Sequence, residues 1–340
     1  MYKLDQLCEG TSLSQEEATQ LFLDFLNGKL SEIEMTALLV ALKAKGESTT
    51  EILGALSAMR QSAHPFPCLA ELKKHHRILD CVGTGGDNQH SLNISTPTAI
   101  MAAQLGLTVA KHGNRAVSSK CGTADLLEAV GMNIAMSPQT AKRSLEENRF
   151  TFLFSPLYHP ATQMIKKVRN NLKSRTLFNL LGPLLNPTSP EILLIGVYHP
   201  SLCERFAKVL QAQGFQKALI VHGEGLDEIA LHGTTTGILL DQGQLSRFSL
   251  TPEEAGLKRF PLDAIKGGEI HFNQAQFLNL LQGKGTNAYR SAVALNTGVL
   301  LYLADKVPTI AQGVEMVLAA LESDAGFQLL QKVKEVSHAQ

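Results

Sequence analysis

A small all-helical N-terminal domain followed by a large α/β domain, whose central, largely parallel sheet is flanked by helices, is the fold this 340-residue sequence predicts. Two observations predict it. Three capping signatures punctuate the first seventy residues, and beyond a proline-rich break short β-like runs alternate with helical ones. The length also suits two unequal domains. The expected division is 1–72 for the small domain and 76–340 for the large one.

Ser14-x-x-Glu17, Ser31-x-x-Glu34 and Ser48-x-x-Glu51 each open a helix. In such a box the serine oxygen accepts from a first-turn amide while the glutamate reaches back to the serine N–H. Gly28 and Gly46 stop the first two helices. Leu21, Phe22, Phe25 and Leu26, then Met35, Leu38, Leu39 and Leu42, recur at helical spacing, so each helix has one face to bury. Three short helices make a thin core. The small domain is therefore expected to lean on the rest of the chain or on a second subunit.

The stretch His64-Pro65-Phe66-Pro67 ends the helical region, and a linker runs to about Lys74. ILDCV (78–82) then precedes a helix from Thr96, and LTVAK (107–111) precedes one near Ala124 to Val130. FTFLF (150–154), EILLIGVY (191–198) with a helix near Leu202 to Gln213, and KALIVHG (217–223) continue the alternation. Ala288 to Leu303 and Ile310 to Leu321 are the clearest of the helices that follow. Ligands of such sheets bind beyond the carboxyl ends of the strands.

Lys+Arg and Asp+Glu both number 31, so the formal net charge is zero and the chain lacks the electrostatic signature of a nucleic-acid or membrane-surface binder. Five scattered cysteines (Cys8, Cys68, Cys81, Cys121, Cys203), none in C-x-x-C spacing, indicate neither a disulfide framework nor a zinc site. No run is apolar and long enough for a signal peptide or membrane span. A soluble, cytoplasmic protein is the expectation.

Four clusters carry chemistry. GTGGDNQHSLNISTPTA, Gly83 to Ala99, lacks the lysine of a P-loop, and Asn88 stands where the third glycine of a dinucleotide fingerprint would fall. Gly83, Gly85 and Gly86 nevertheless suit an anion nest, with Thr96 expected as N-cap of the next helix and Pro97 at its first position. The plainer reading is a glycine-rich turn; the donors Asn93, Ser95 and Thr96 argue against it. Lys111, His112, Asn114, Arg115, Ser118 and Ser119 form a second polyanion cradle, although a solvated basic loop is the simpler alternative. The pair Asp227-Glu228 follows a strand and suits Mg²⁺, typically held by one or two carboxylates plus substrate oxygens. Taken alone it is a common surface turn. Arg169 lies on a basic helix where a guanidinium facing the crevice would clamp a carboxylate, although a solvated face reads the same.

In this order GTGGD, NIST, KHGNRAVSS, YHP, VRNNLKSRTLFNLLGPLLNP and GLDE resemble the anthranilate phosphoribosyltransferase family over nearly the whole chain. The resemblance implies a glycosyltransferase of tryptophan biosynthesis joining anthranilate to phosphoribosyl pyrophosphate. It also implies a homodimer, with helices from about 165–190 recruited into the small domain. Gly83, Thr84, Gly85, Gly86, Asp87, Asn93, Ser95, Thr96, Lys111, Ser118 and Ser119 would bind phosphoribosyl pyrophosphate. Gly83, Asn114 and Arg169 would hold anthranilate, with His112 and His159 lining its path. Asp227, Glu228 and Ser95 would ligate Mg²⁺, two ions in all. No nucleophile or obligate base is implied. Cys121 and Thr123 stand where the family more usually has serine. Two other readings are a pyrimidine nucleoside phosphorylase of the same fold, whose loop differs from GTGGD, and an inactive nucleic-acid-binding relative, expected to lose the acidic pair.

Overall fold

The computed structural model describes residues 2–116 and 121–339. A short helix α1 (Tyr2–Cys8) precedes α2 (Gln15–Leu26), α3 (Glu32–Lys45) and α4 (Thr49–Gln61). All three serine–glutamate pairs form reciprocal capping boxes. The stretch expected as a linker contains a further helix, α5 (Leu69–His75).

Strands β1 (Ile78–Gly83), β2 (Thr108–Gly113) and β3 (Phe150–Phe154) are separated by α6 (Ser95–Gln104), α7 (Thr123–Ala129) and α8 (Pro138–Asn148). Two short helices, α9 (Ser155–Tyr158) and α11 (Phe178–Leu181), flank α10 (Gln163–Leu172). Then come β4 (Ile192–Gly196), α12 (Ser201–Ala212), β5 (Lys217–His222), β6 (Thr235–Asp241) and β7 (Gln244–Leu250). Helices α13 (Ile270–Leu281), α14 (Asn287–Leu303), α15 (Ile310–Ala320) and α16 (Ala325–Ser337) complete the chain.

Among the described residues the strands form one sheet in the order β3-β2-β1-β4-β5-β6-β7. The first five are mutually parallel, whereas β6 and β7 add an antiparallel hairpin. Sequence reading missed that hairpin. Its turn places Gln242 and Gly243 both at positive φ (48° and 77°), the conformation a tight two-residue hairpin turn requires.

Side chains of β4 divide between two cores, as a strand's period of two demands. Ile192 and Leu194 face the core beneath α6, α14 and α16, whereas Leu193 and Ile195 face the core beneath α12. That second core continues unbroken into α2, α3 and α4, and it includes Ile165 and Val168 from α10, Leu177 just before α11, and Phe178 and Leu181 from α11. Phe178 meets Phe22 edge-on at 5.7 Å between ring centroids. The N-terminal helices thus bury their apolar faces partly against a segment from the middle of the chain, and their thin core is thickened. No helix among the described residues is long and apolar enough to cross a membrane.

The chain order reverses direction between β1 and β4. A crevice opens where such a switch occurs, beyond the strands' carboxyl ends.

Candidate active site

Gly83 ends β1, Gly196 ends β4, and the two residues are register partners. Asp227 lies across both. A Cβ on Gly83 would stand 2.2 Å from Asp227 Oδ2, and one on Gly196 would stand 1.7 Å from the Asp227 carbonyl oxygen. The Gly85 amide donates to Asp227 Oδ2 at 2.5 Å, and the Asp227 amide donates to Asp87 Oδ2 at 3.4 Å. Gly85 and Gly86 take φ of 68° and 79°, open to glycine at little cost. Two clusters that are distant in sequence therefore form one structure.

Further bonds pin the glycine loop. The Thr84 amide donates to the Gly196 carbonyl at 2.9 Å, while Thr84 Oγ1 accepts from the Tyr198 amide at 3.1 Å. Asp87 Oδ1 accepts from the Gln89 amide at 3.0 Å. Arg175 donates to the Gly86 carbonyl and lies 3.9 Å over the Tyr198 ring. It ties the segment between α10 and α11 to the loop.

The helix after the loop starts at Ser95, one residue earlier than Thr96. Its cap differs too: Asn93 Oδ1 accepts from the Thr96 amide at 2.9 Å, because an asparagine side chain mimics a turn carbonyl. Thr96 is fully buried and its hydroxyl donates to Thr123 Oγ1 at 3.3 Å. Both of its donors are used internally, which corrects its expected place as N-cap and as an open donor. Tyr289 donates to the Asn93 carbonyl at 2.6 Å and holds the cap from below.

Lys111 is 1 % exposed, not at the mouth of the crevice. Its ammonium donates to the Cys81 carbonyl at 2.6 Å and to Ser95 Oγ at 3.0 Å. Beside it lies Asp80, which sequence reading overlooked. Asn186 Nδ2 donates to Asp80 Oδ2 at 2.8 Å, and burial pushes the Asp80 carboxyl up to about 6 despite the charge of Lys111. An acid within the apolar run ILDCV was the available signal.

Burial, then the facing charge of Asp87, raises the Asp227 carboxyl above the ordinary range. Burial, then Asp227, pushes Glu228 up to about 8, opposed by Lys111 and by the Ser95 amide. Two carboxyls short of compensating charge are suited to a divalent cation. Among the described residues no group of three or more His, Cys, Asp and Glu side chains is arranged as a metal cage.

Of the second cradle, Ser118 and Ser119 lie outside the described residues. Asn114 is exposed, and its Oδ1 accepts from the Arg115 amide at 2.8 Å. Arg115 is no free cation, which corrects its expected part in the cradle: it grips Glu128 with bonds of 2.7 and 2.8 Å and reaches Asp125 at 3.3 Å.

His112 and His159 are both buried and meet edge-on, 5.5 Å between centroids. Their nitrogens face the Gly182 carbonyl (His112 Nδ1, 3.3 Å) and the Leu185 carbonyl (His159 Nε2, 2.9 Å). Burial pushes His112 down to about 3 and lowers His159, so both rings are neutral at physiological pH. Arg169 projects from α10 with its guanidinium 6.0 Å over Phe178. Among the described residues no hydrogen bond or ring contact joins Arg169 to Asn114 or to the histidines.

Residues 3–63 match the glycosyl transferase family, helical bundle domain, and residues 75–326 match the glycosyl transferase family, a/b domain. The chain is 44% identical over 335 residues to the anthranilate phosphoribosyltransferase of Pseudoalteromonas translucida, covering 98% of this chain and 93% of that one. It is 45% identical over 336 residues to that of Shewanella baltica, covering 98% and 94%. Its fold superposes on anthranilate phosphoribosyltransferase from Thermus thermophilus with a TM-score of 0.91 at 38% identity, covering all of both chains. The Saccharomyces cerevisiae enzyme in complex with PRPP and Mg gives 0.87 at 26% identity, covering 99% and 97%.

Proposed function

The chain belongs to the anthranilate phosphoribosyltransferase family, and from that premise we propose how its crevice transfers phosphoribose from phosphoribosyl pyrophosphate to anthranilate in tryptophan biosynthesis. The anthranilate amine attacks C1 of the ribose as pyrophosphate departs. The observation that carries this reading is the Gly85 amide donating to Asp227 Oδ2 at 2.5 Å, which supports a glycine loop and an acidic pair that share one crevice.

The loop Gly83 to Asp87, with Asn93 and Ser95, receives the pyrophosphate. The amides of Thr84 and Gly85 are spent on the Gly196 carbonyl and Asp227 Oδ2, so the loop's remaining amides would supply donors where negative charge grows as the bond to C1 breaks. Asp227 and Glu228 would hold Mg²⁺ with Ser95 Oγ, leaving the rest of its coordination to phosphate oxygens and water. When bound, the ion neutralises charge on the leaving pyrophosphate. Lys111 acts from beneath: by donating to Ser95 Oγ it fixes that hydroxyl and offsets Glu228. Ser118, Ser119 and Asn114 complete the phosphoribosyl and anthranilate contacts.

The amine of anthranilate is already neutral at physiological pH, so no strong base is required, and positioning does the larger part. Two neutral imidazoles, His112 and His159, offer an aromatic wall to a flat aromatic acid. Arg169 clamps the carboxylate, the bidentate pairing to which a guanidinium is suited. Helices α1–α4 together with α10 and α11 form the body that carries Arg169, and residues 76–340 outside those helices form the body that carries the loop.

The finer assignments are two Mg²⁺ ions, a cytoplasmic location and a homodimer. Ile33, 82 % exposed, and Val40, 46 % exposed, lie seven residues apart on one face of α3, Met164 of α10 is exposed as well, and these exposed apolar side chains support self-association. The balanced charge supports small-molecule substrates over nucleic acid or a membrane surface. The direct test is to mix the protein with anthranilate, phosphoribosyl pyrophosphate and Mg²⁺ and follow loss of anthranilate fluorescence. Turnover is expected, and none would overturn the reading.

A further inference from the structure

We infer that His222 is a positioning residue that sets the acidic turn: its ring, locked as one neutral tautomer, holds the backbone from which Asp227 and Glu228 project. The inference rests on the function proposed above.

His222 is the last residue of β5, and the turn after it carries the acidic pair. Its Nδ1 lies 2.8 Å from the Val197 carbonyl, at the exit of the neighbouring β4. A carbonyl oxygen only accepts, so Nδ1 carries the proton. On the other side of the ring, the Gly225 amide lies 3.0 Å from Nε2. A backbone N–H only donates, so Nε2 is bare. The two partners together admit only the neutral Nδ1–H form.

The turn requires such a fastening. Gly223 and Leu226 close on each other through paired backbone bonds of 3.0 and 3.2 Å. Between them Glu224 sits at φ 49° and Gly225 at φ 100°, a left-handed pair that most residues avoid. Beyond the acidic pair, the Ile229 amide donates to Asn296 Oδ1 at 3.1 Å. His222 and Asn296 thus bracket Asp227-Glu228, one before it and one after. Among the described residues the His222 bond to the Val197 carbonyl ties the turn to the exit of β4, the strand whose Gly196 abuts the Asp227 backbone. Through that tie it sets the height of the carboxylates above the glycine loop.

The experiment compares wild type, His222→Leu and His222→Asn. In wild type labelled at histidine nitrogens, the signal that disappears in His222→Leu should report a neutral ring protonated at Nδ1. Leucine removes both bonds, whereas asparagine keeps a donor near the position of Nδ1. The Mg²⁺ concentration for half-maximal rate should rise about 10- to 100-fold in His222→Leu, the range for losing an outer partner of a metal site. It should rise less in His222→Asn, with the KM for anthranilate unmoved in both. Calorimetric titration of the protein with Mg²⁺–phosphoribosyl pyrophosphate, without anthranilate, should weaken in the same order. An unchanged Mg²⁺ dependence in a folded His222→Leu, equal loss for both substrates, or an Nε2-protonated or charged ring would overturn the inference. If His222→Leu does not fold, selective loss of Mg²⁺ response in His222→Asn supports the inference and wild-type behaviour overturns it. Failure of wild type itself to turn over would instead overturn the proposed function, leaving the ring-nitrogen signal to report on the turn.

Discussion

The Lys111 ammonium stands 3.0 Å from Ser95 Oγ and 2.6 Å from the Cys81 carbonyl, inside the molecule and not at its surface. A lysine so placed compensates the buried Asp80 and the half-buried Glu228, both of whose carboxyls feel its charge. Removing one member of a buried charge set costs about 3–5 kcal/mol, because the others stay buried without compensation. Lys111→Met should therefore lower stability in urea by about that amount and also weaken phosphoribosyl pyrophosphate use. Adding Asp80→Asn should restore part of the stability without restoring activity. A Lys111→Met protein as stable as wild type would refute the buried-counterion role.

Glu228 gives a pH prediction. Its ordinary pKa is 4.5, and in the fold burial and Asp227 push it up to about 8. The folded state therefore holds the proton more tightly than the unfolded chain. The stability linked to this group is full below 4.5 and is lost as pH rises through about 8. Thermal melts of metal-free wild type and Glu228→Gln should diverge across that window, the glutamine variant gaining as pH rises. Adding Mg²⁺ and phosphoribosyl pyrophosphate should raise the wild-type transition more than that of the variant. Melting curves that stay parallel from acid to pH 8.5 would contradict the assignment.

Much of this architecture was legible in local chemistry. The three serine–glutamate boxes rest on interactions within a few residues, and the strands from ILDCV to KALIVHG show as short apolar runs between turn residues, both of which a linear pattern encodes. Side-chain direction and long-range pairing were not legible. Gly85 and Asp227 meet across 142 residues, and no local signal announces it. Thr96 turns inward because Asn93 takes the cap, and Arg115 is consumed by Glu128, a partner 13 residues away on the next helix. Asp80 announced itself only by being an acid among buried apolar neighbours.

Arg169 tests the anthranilate half of the crevice. A guanidinium clamp on a carboxylate is a charged, two-point hydrogen bond, each such bond worth about 1.5–3 kcal/mol. Arg169→Ala should cut kcat/KM for anthranilate by about 100-fold or more while leaving the KM for phosphoribosyl pyrophosphate unchanged. Arg169→Lys should recover little, since an ammonium keeps the charge and loses the planar fork. Equal losses for both substrates would point to a folding defect.

Gly83 and Gly196 test whether the seat of Asp227 governs catalysis. Both glycines have φ outside the left-handed region, so alanine is tolerated by the backbone and the obstacle is space alone. At Gly83 the new methyl would meet the Asp227 side chain at 2.2 Å, and at Gly196 it would meet the Asp227 carbonyl oxygen at 1.7 Å. Gly83→Ala has the milder remedy, because a carboxylate rotates; Gly196→Ala must displace backbone and with it the whole acidic turn. Misplacing a catalytic group by about 1 Å costs on the order of 10²-fold in rate. Gly196→Ala should lose at least about that much in kcat/KM for phosphoribosyl pyrophosphate and need more Mg²⁺. Gly83→Ala should lose less through the metal and more through the Gly85 amide that Asp227 Oδ2 now accepts. Steady-state rates over a Mg²⁺ series separate the two, and a Gly196→Ala enzyme with wild-type Mg²⁺ dependence would show that the acidic turn is not held by this contact.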